Sequence, residues 1–331
     1  MTLYESNLRT DLPQLPNFLQ LSERVWRVMG LNPGKFTLQG TNTYLVGTGA
    51  RKVLIDCGDG QPDYIPLLIQ SLHTIQPDAH ISDILISHCH KDHWGGLDDI
   101  MSSTQLNPPH QTIRVHKFPL LAEPTIIKFL ESFPEKVQVL DLEDNQTFEV
   151  DAQTHLRVVH TPGHAKDHCA FYLEEESAIF TADCILGHGS VAFEDLTAYM
   201  DSLYRIQTLQ PNTLFPGHGE VVHHGLEKVQ EYVSIRLAKE AQILSIMDRD
   251  LTQSWSAIDL LEDMNSVSKG YNEILMAVVV RTVGLHLIKL YFDGKVELVN
   301  AHKMRGFDPY DAYNVFSIVN QPWRRTPQSK L

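Results

Sequence analysis

Three histidines and an aspartate, His88, His90, Asp92 and His93, stand within six residues in the stretch ILISHCHKDHWGG, from Ile84 to Gly96. These are metal-ligand residue types, and their spacing is informative. His88 and His90, one residue apart, can turn the same way from a bend and chelate one cation. Asp92 and His93, just beyond, face a second position. Neutral imidazole suits zinc, and a hydrolytic zinc site needs three or four such ligands with a position open to water. One segment cannot supply that number. The candidates elsewhere are His164 in TPGH, Asp183 in FTADC and His218 in PGHG, with Asp56 at the end of VLID. A Pro-Gly-His turn alone is a weak signal, because such turns occur without metal. The set gains weight because its members close separate apolar runs.

Those runs must then be strands that end on one edge. RKVLID, ISDILIS, TIRVH, HLRVVH, CAFYLEEE, SAIFTA and TLFP read as short strands bounded by Gly, Pro or polar turns. Helical spacing separates them in DYIPLLIQSL, from Leu97 onward, in PTIIKFLESF (Pro124 to Phe133) and from Asp195 to Leu209. Strands and helices interleaved in this way predict a layered α/β domain. In such folds ligand sites gather at the carboxyl ends of the strands, where irregular turns aim side chains into a cleft.

From about Gly225 the pattern is nearly continuous helix: LEKVQEYVSIRLAKEAQILSIM, SAIDLLEDM, then ILMAVVVRTVGLHLIKLYF followed by an Asp-Gly turn and a short strand. This predicts a catalytic domain over 1–224, a helical, winged-helix-like domain over 225–306, and a less ordered, Pro- and Asn-punctuated tail over 307–331.

The chain has 331 residues and 43% hydrophobic content, enough for a sizeable core. No apolar run approaches the roughly 18 residues of a spanning helix, so no membrane association is expected. The first residues, MTLYESNLRTDLPQLPNF, lack an apolar signal core and carry Glu5 and Asp11. That predicts a cytoplasmic protein, with the mitochondrial matrix as the alternative. Cys57, Cys89, Cys169 and Cys184 form no CxxC pair and are expected as reduced thiols.

The net charge of −14 opposes a polyanion at long range, yet from Lys269 onward nine Lys/Arg face five Asp/Glu. Aromatics lie among them, including Tyr291, Phe292, Phe316 and Trp323. This end is either a packed helical cap with a solvated basic tail or a surface that grips phosphates and stacks on bases.

HCHKDHWGG, TPGH, the Asp of FTADC and PGHG, in that order and with Asp56 ahead of them, resemble the metallo-β-lactamase fold superfamily over roughly Leu31 to Gly219. LNPGKFTLQGTNTYLVGTG, FTADCILGHG and FEDLTAYMDSL are similar to the β-lactamase-like protein 2 group, described as single-strand-directed endoribonucleases. They also resemble the fungal acyl-carrier-protein thioesterases. The resemblance implies a four-layer αβ/βα sandwich with two zinc ions at one edge. His88, His90 and His164 would hold one ion, Asp92, His93 and His218 the other, and Asp183 would bridge them. Asp56 would orient the cluster. No ligand position of the family pattern is missing. Cys89 stands where these relatives usually have a bulky aromatic, and Ala182 replaces a common Gly.

The expected chemistry is hydrolysis by a metal-bridged hydroxide, with Asp92 and Asp183 as catalytic carboxylates and Asp92 able to accept the nucleophile's proton. The expected substrate is single-stranded RNA; a small acyl thioester is the alternative, and no protein partner is evident. An iron-dependent oxidoreductase would not need the second ligand set, and a silent binding module should have lost ligands. His168 either touches substrate or is hydrogen-bonded beneath the cluster, and His188, in a glycine-flanked loop, either approaches substrate or is an ordinary turn histidine. Asn42 and Thr43 either line the cleft or cap a strand.

Overall fold

A computed structural model describes residues 12–110, 112–120, 133–134, 137–264, 273–307 and 312–326. Two compact units emerge, one formed by residues up to 192 with 202–229, the other by 193–201 with 230–331.

In the first unit, β1 (Phe18–Gln20), β2 (Val25–Met29), β3 (Asn42–Val46), β4 (Arg51–Ile55), β5 (His80–Ile86), β6 (Arg114–Lys117) and β7 (Val139–Asp141) form a sheet in sequence order. Pairing is antiparallel from β1 to β4 and parallel from β4 to β7. The second sheet runs in the order β12 (Thr213–Pro216), β11 (Ala178–Ala182), β10 (Cys169–Leu173), β9 (Thr154–His160), β8 (Thr147–Asp151). Only its β11–β12 pair is parallel.

Strand alternation explains the layers. Leu54, Ile84, Ile86 and Val115 face outward onto Tyr64, Leu68 and Leu72 of α1 (Tyr64–Ile75), together with Leu97 and Ile100 of α3 (Leu97–Ser102), which follows the short α2 (Lys91–Trp94). The α1 residues recur every four positions and so form one stripe. Val53, Ile55 and Leu85 face the other way, against Leu156, Val158, Phe171 and Phe180 of the second sheet. Sheets covered on both sides give the continuous apolar strands read from the sequence. Each fully buried aliphatic or Phe side chain contributes about 1.5–3 kcal/mol, so this central layer dominates the unit's stability. The fourth layer is the part of α4 (Leu196–Thr208) from residue 202 onward, where Ser202 donates to the Pro162 carbonyl and Arg205 to that of His160.

In the second unit, α5 (Gly225–Met247, from residue 230) is followed by α6 (Ala257–Asp263) and α7 (Glu273–Phe292). The start of α6 is fixed by a reciprocal cap, with Ser256 and Asp259 each receiving the other's backbone N–H. After the Gly294 turn, β13 (Val296–Leu298) pairs with β14 (Trp323–Arg325), and α8 (Ala312–Val319) lies between them in sequence.

The expected less ordered tail over 307–331 therefore needs correction. Its described part holds a helix and a strand, and Trp323 is fully buried. A three-residue strand and a lone tryptophan anchor leave too little periodicity to read. The expected boundary at 224/225 also shifts to 229/230, with 193–201 joining the helical unit. The helix expected in PTIIKFLESF lies outside the described residues, apart from Phe133. No helix among the described residues is long and apolar enough to cross a membrane.

Candidate metal centre

The strand ends converge. Asp56 follows β4, His88 and His90 follow β5, His164 follows β9, Asp183 follows β11 and His218 follows β12, while Asp92 and His93 sit on α2. Side-chain atoms of His88, His90, His164 and Asp183 lie within 4.8 Å of one another, as do those of Asp92, His93 and His218. Asp183 spans the two sets. Its Oδ1 is 3.3 Å from His218 Nε2 and 3.5 Å from His93 Nε2, and its Oδ2 is 3.6 Å from His164 Nε2.

The outer ring nitrogens fix the tautomers. His164 Nδ1 donates to the Ala192 carbonyl at 2.7 Å, His218 Nδ1 to that of Gly40 at 3.3 Å, and His93 Nδ1 to Asp56 Oδ2 at 2.7 Å. Ser87 Oγ lies 2.9 Å from Asp56 Oδ2, an obligate acceptor, so the hydroxyl donates there and accepts from His88 Nδ1, also at 2.9 Å. When neutral, each of these four rings must then point a lone pair inward, the arrangement that metal-ligating histidines use. His90 Nδ1 lies 2.9 Å from both His88 Nε2 and His164 Nε2. One proton cannot satisfy both contacts, whereas a cation among the three nitrogens does.

The field agrees. Burial, reinforced by His93, His90 and His164, pushes His88 well below the ordinary imidazole pKa, and burial with His164 holds His90 at about 4. Burial would also depress His93, but Asp92, Asp56 and Asp183 together pull it well above the ordinary value; against burial, Asp183 and Asp92 raise His218 to about 9. One set thus offers neutral lone pairs and the other a strongly negative field that attracts positive charge. His93 Nε2 and Asp183 Oδ1 are buried and find no hydrogen-bond partner among the described residues, a cost that a cation between them removes. The donor set fits divalent metal.

Backbone strain concentrates here. Asp56 has φ 60° and Ala182, directly before Asp183, φ 41°, in a region that L-residues avoid. Gly217 is needed for space, since a Cβ there would lie 2.7 Å from Asp183 Oδ1 and 3.0 Å from His93 Cε1.

All seven candidate ligands come together, with Asp56 behind them. His188 is exposed at the cleft. The other candidates are inward. His168 is fully buried, with Thr161 Oγ1 2.8 Å from its Nδ1 and its ring 5.1 Å from that of His88. It lies beneath the cluster and cannot touch substrate. Asn42 donates to the carbonyls of Pro216 and Gly219, tying β3 to the His218 turn, and Thr43 donates to the Val28 carbonyl in the core. Neither lines the cleft. Sequence reasoning misses Ser87 and Thr41. Thr41 Oγ1 lies 3.5 Å from Asp92 Oδ2, and its only sequence signal is a polar residue one position before Asn42. Cys57, Cys89, Cys169 and Cys184 form no disulfide among the described residues.

The cleft in front of the cluster measures about 560 Å³. It is lined by His90, Asp92, His164, Asp183 and His218, by Lys35, Phe36 and Lys91, and by apolar Leu38, Leu186 and Val191. The C-terminal cations are largely engaged within their own unit: Lys289 with Glu240 and Asp293, Lys295 with Asp293, and Arg325 with Asp248.

This chain belongs to the metallo-β-lactamase superfamily of hydrolases, whose family model matches residues 36–218. It is 38% identical over 285 residues to "Beta-lactamase-like protein 2 homolog" of Drosophila melanogaster, covering 86% of this chain and 93% of the relative. It is also 38% identical over 244 residues to "Atrochrysone carboxyl ACP thioesterase nsrC" of Aspergillus novofumigatus, covering 74% of this chain and 69% of the relative. Among solved structures, a metallo-β-lactamase family protein from Thermus thermophilus superposes with a TM-score of 0.62 at 21% identity, over 93% of this chain and all of that one. A β-lactamase domain protein from Burkholderia ambifaria gives 0.68 at 16% identity, over 97% of this chain and 98% of that one.

Proposed function

We propose that the chain is a hydrolase of single-stranded RNA dependent on two zinc ions. His88, His90 and His164 would hold one ion, Asp92, His93 and His218 the other, with Asp183 shared. When bound, such a pair supplies the charge that brings the pKa of a water towards neutrality and stabilises negative charge developing on the attacked group. The chain's own residues prepare the rest. Asp56 and Ser87 keep His88 and His93 in the inward-facing tautomer. Asp92, the more exposed carboxylate of the set, opens onto the cleft and is the group we assign to take up the nucleophile's proton.

The observation that carries the RNA reading is Phe36. Its ring is 82% exposed at the cleft mouth, with exposed Lys35 and Lys91 also in the cleft lining. An exposed ring offers a base a stacking surface, and nearby ammonium groups offer phosphates short-range pairing that a net charge of −14 does not provide at long range. A thioesterase reading draws on the apolar wall of Leu38, Leu186 and Val191 and on the printed name of the fungal relative.

A paired assay separates the two. The metal-loaded chain is incubated with single-stranded RNA and with an acyl thioester, each with and without chelator. Chelator-sensitive RNA cleavage with the thioester intact supports the proposal. Chelator-sensitive thioester hydrolysis with intact RNA replaces it with the second reading.

A further inference from the structure

A second pocket, of about 740 Å³, lies behind the metal cleft in the first unit. Leu186, His188 and His218 line the metal cleft, whereas Gly187 and Glu220 line this pocket, so two short turns separate them. Its notable member is Arg27. On β2, paired across to Tyr44 of β3, Arg27 is only 2% exposed. A guanidinium carries five N–H donors. Arg27 makes a single long hydrogen bond among the described residues, from Nη2 to the Pro16 carbonyl at 3.5 Å, and its Nε is buried with no acceptor.

Among the described residues neither of the pocket's two carboxylates forms an ion pair with Arg27, although Glu220 acts on it at longer range. Glu176 accepts from Ser22 Oγ at 2.8 Å and lies 3.7 Å from Arg24. Glu220 is exposed and forms no ion pair with Arg27 among the described residues. Burial pushes the guanidinium's pKa below its usual value, opposed by Tyr44 and Glu220. A buried, nearly unpartnered guanidinium is costly unless an anion completes it. A further positive charge comes from Lys228 at the start of α5, whose amino-terminal end adds a partial positive charge, and His223 and His224 offer ring N–H donors beside it. An apolar part of the wall is formed by Leu15, Leu19, Leu21, Phe215 and Val221.

We propose that this pocket binds a phosphate monoester, with its phosphate on the Arg27 guanidinium and its organic group on that apolar wall. The planar guanidinium matches two phosphate oxygens at once, and the Lys228 ammonium in the same lining favours a dianion over a carboxylate. The site is independent of the metal ligands and of the RNA reading.

The test titrates the metal-loaded full chain with inorganic phosphate and with hexyl phosphate by calorimetry. Co-crystallisation with tungstate locates the oxyanion by anomalous scattering. Hexyl phosphate is expected to bind at least roughly tenfold more tightly than inorganic phosphate. One binding event should vanish in Arg27→Met and weaken roughly tenfold in Lys228→Gln, with hydrolytic rate unchanged in both, and a tungstate peak should stand beside Arg27 Nε. If Arg27→Met fails to fold, Lys228→Gln and the tungstate peak decide. Titrations unchanged in the variants, or tungstate at the metal centre alone, overturn the proposal.

Discussion

Asp56 Oδ2 accepts a hydrogen bond from His93 Nδ1 at 2.7 Å. The same carboxylate accepts from the Ser87 N–H and hydroxyl, and that hydroxyl accepts in turn from His88. One side chain therefore sets the ring orientation in both ligand groups, which justifies its left-handed backbone. In Asp56→Asn the amide cannot accept at both ends of this network. Metal affinity should fall about 10–100-fold, as measured by competition with a chromophoric chelator. Unchanged affinity would show that the network is decorative.

Gly217 tests the packing of the centre rather than its ligands. A methyl at this position collides with Asp183 Oδ1 and His93 Cε1, and both side chains are buried, one after β11 and the other on α2. Gly217→Ala should retain far-ultraviolet circular dichroism yet lose at least half of its bound metal by plasma mass spectrometry. Full metal content would mean that the turn moves freely.

The candidate ligands are readable because each closes an apolar run, so local pattern and global position coincide. The inward turn of Asn42 and Thr43 is not readable, since a polar residue in a strand gives no sign of which carbonyl it will meet across the sheets. Ser87 escapes for a related reason: its role exists only once Asp56 lies on the neighbouring parallel strand. Ala182 stands at φ 41°, a backbone conformation that glycine adopts more readily than alanine. β1 and β7, three residues each, and β2, interrupted by Arg27, carry too little alternation to mark.

Phe36→Ala addresses the substrate. Base–aromatic stacking contributes roughly 1–3 kcal/mol per base, so kcat/KM for single-stranded RNA should fall about 5- to 150-fold with metal content unchanged. An unaltered kcat/KM would remove the ring from the binding surface.

In the second unit, His286 is buried, and burial together with Arg236, Lys239 and Lys289 lowers its pKa to about 3. The unfolded chain, near 6.5, binds a proton that the folded chain refuses between those values. Stability must therefore fall as pH drops below about 6.5. Between pH 7 and 5 the wild type should lose about 2 kcal/mol more than His286→Phe, read from urea midpoints and slopes. Parallel losses would indicate that the imidazole is protonated in the folded unit.

The central claim is that side chains from four strand ends and from α2 hold a pair of divalent cations. Plasma mass spectrometry on protein purified without chelator, set beside Asp183→Ala, tests it most directly. The expected result is about two divalent ions per chain in the wild type and no more than about one in the variant, because the variant lacks the carboxylate facing both groups. A wild-type chain that carries no divalent metal, and takes up none from a zinc-buffered solution, would contradict it.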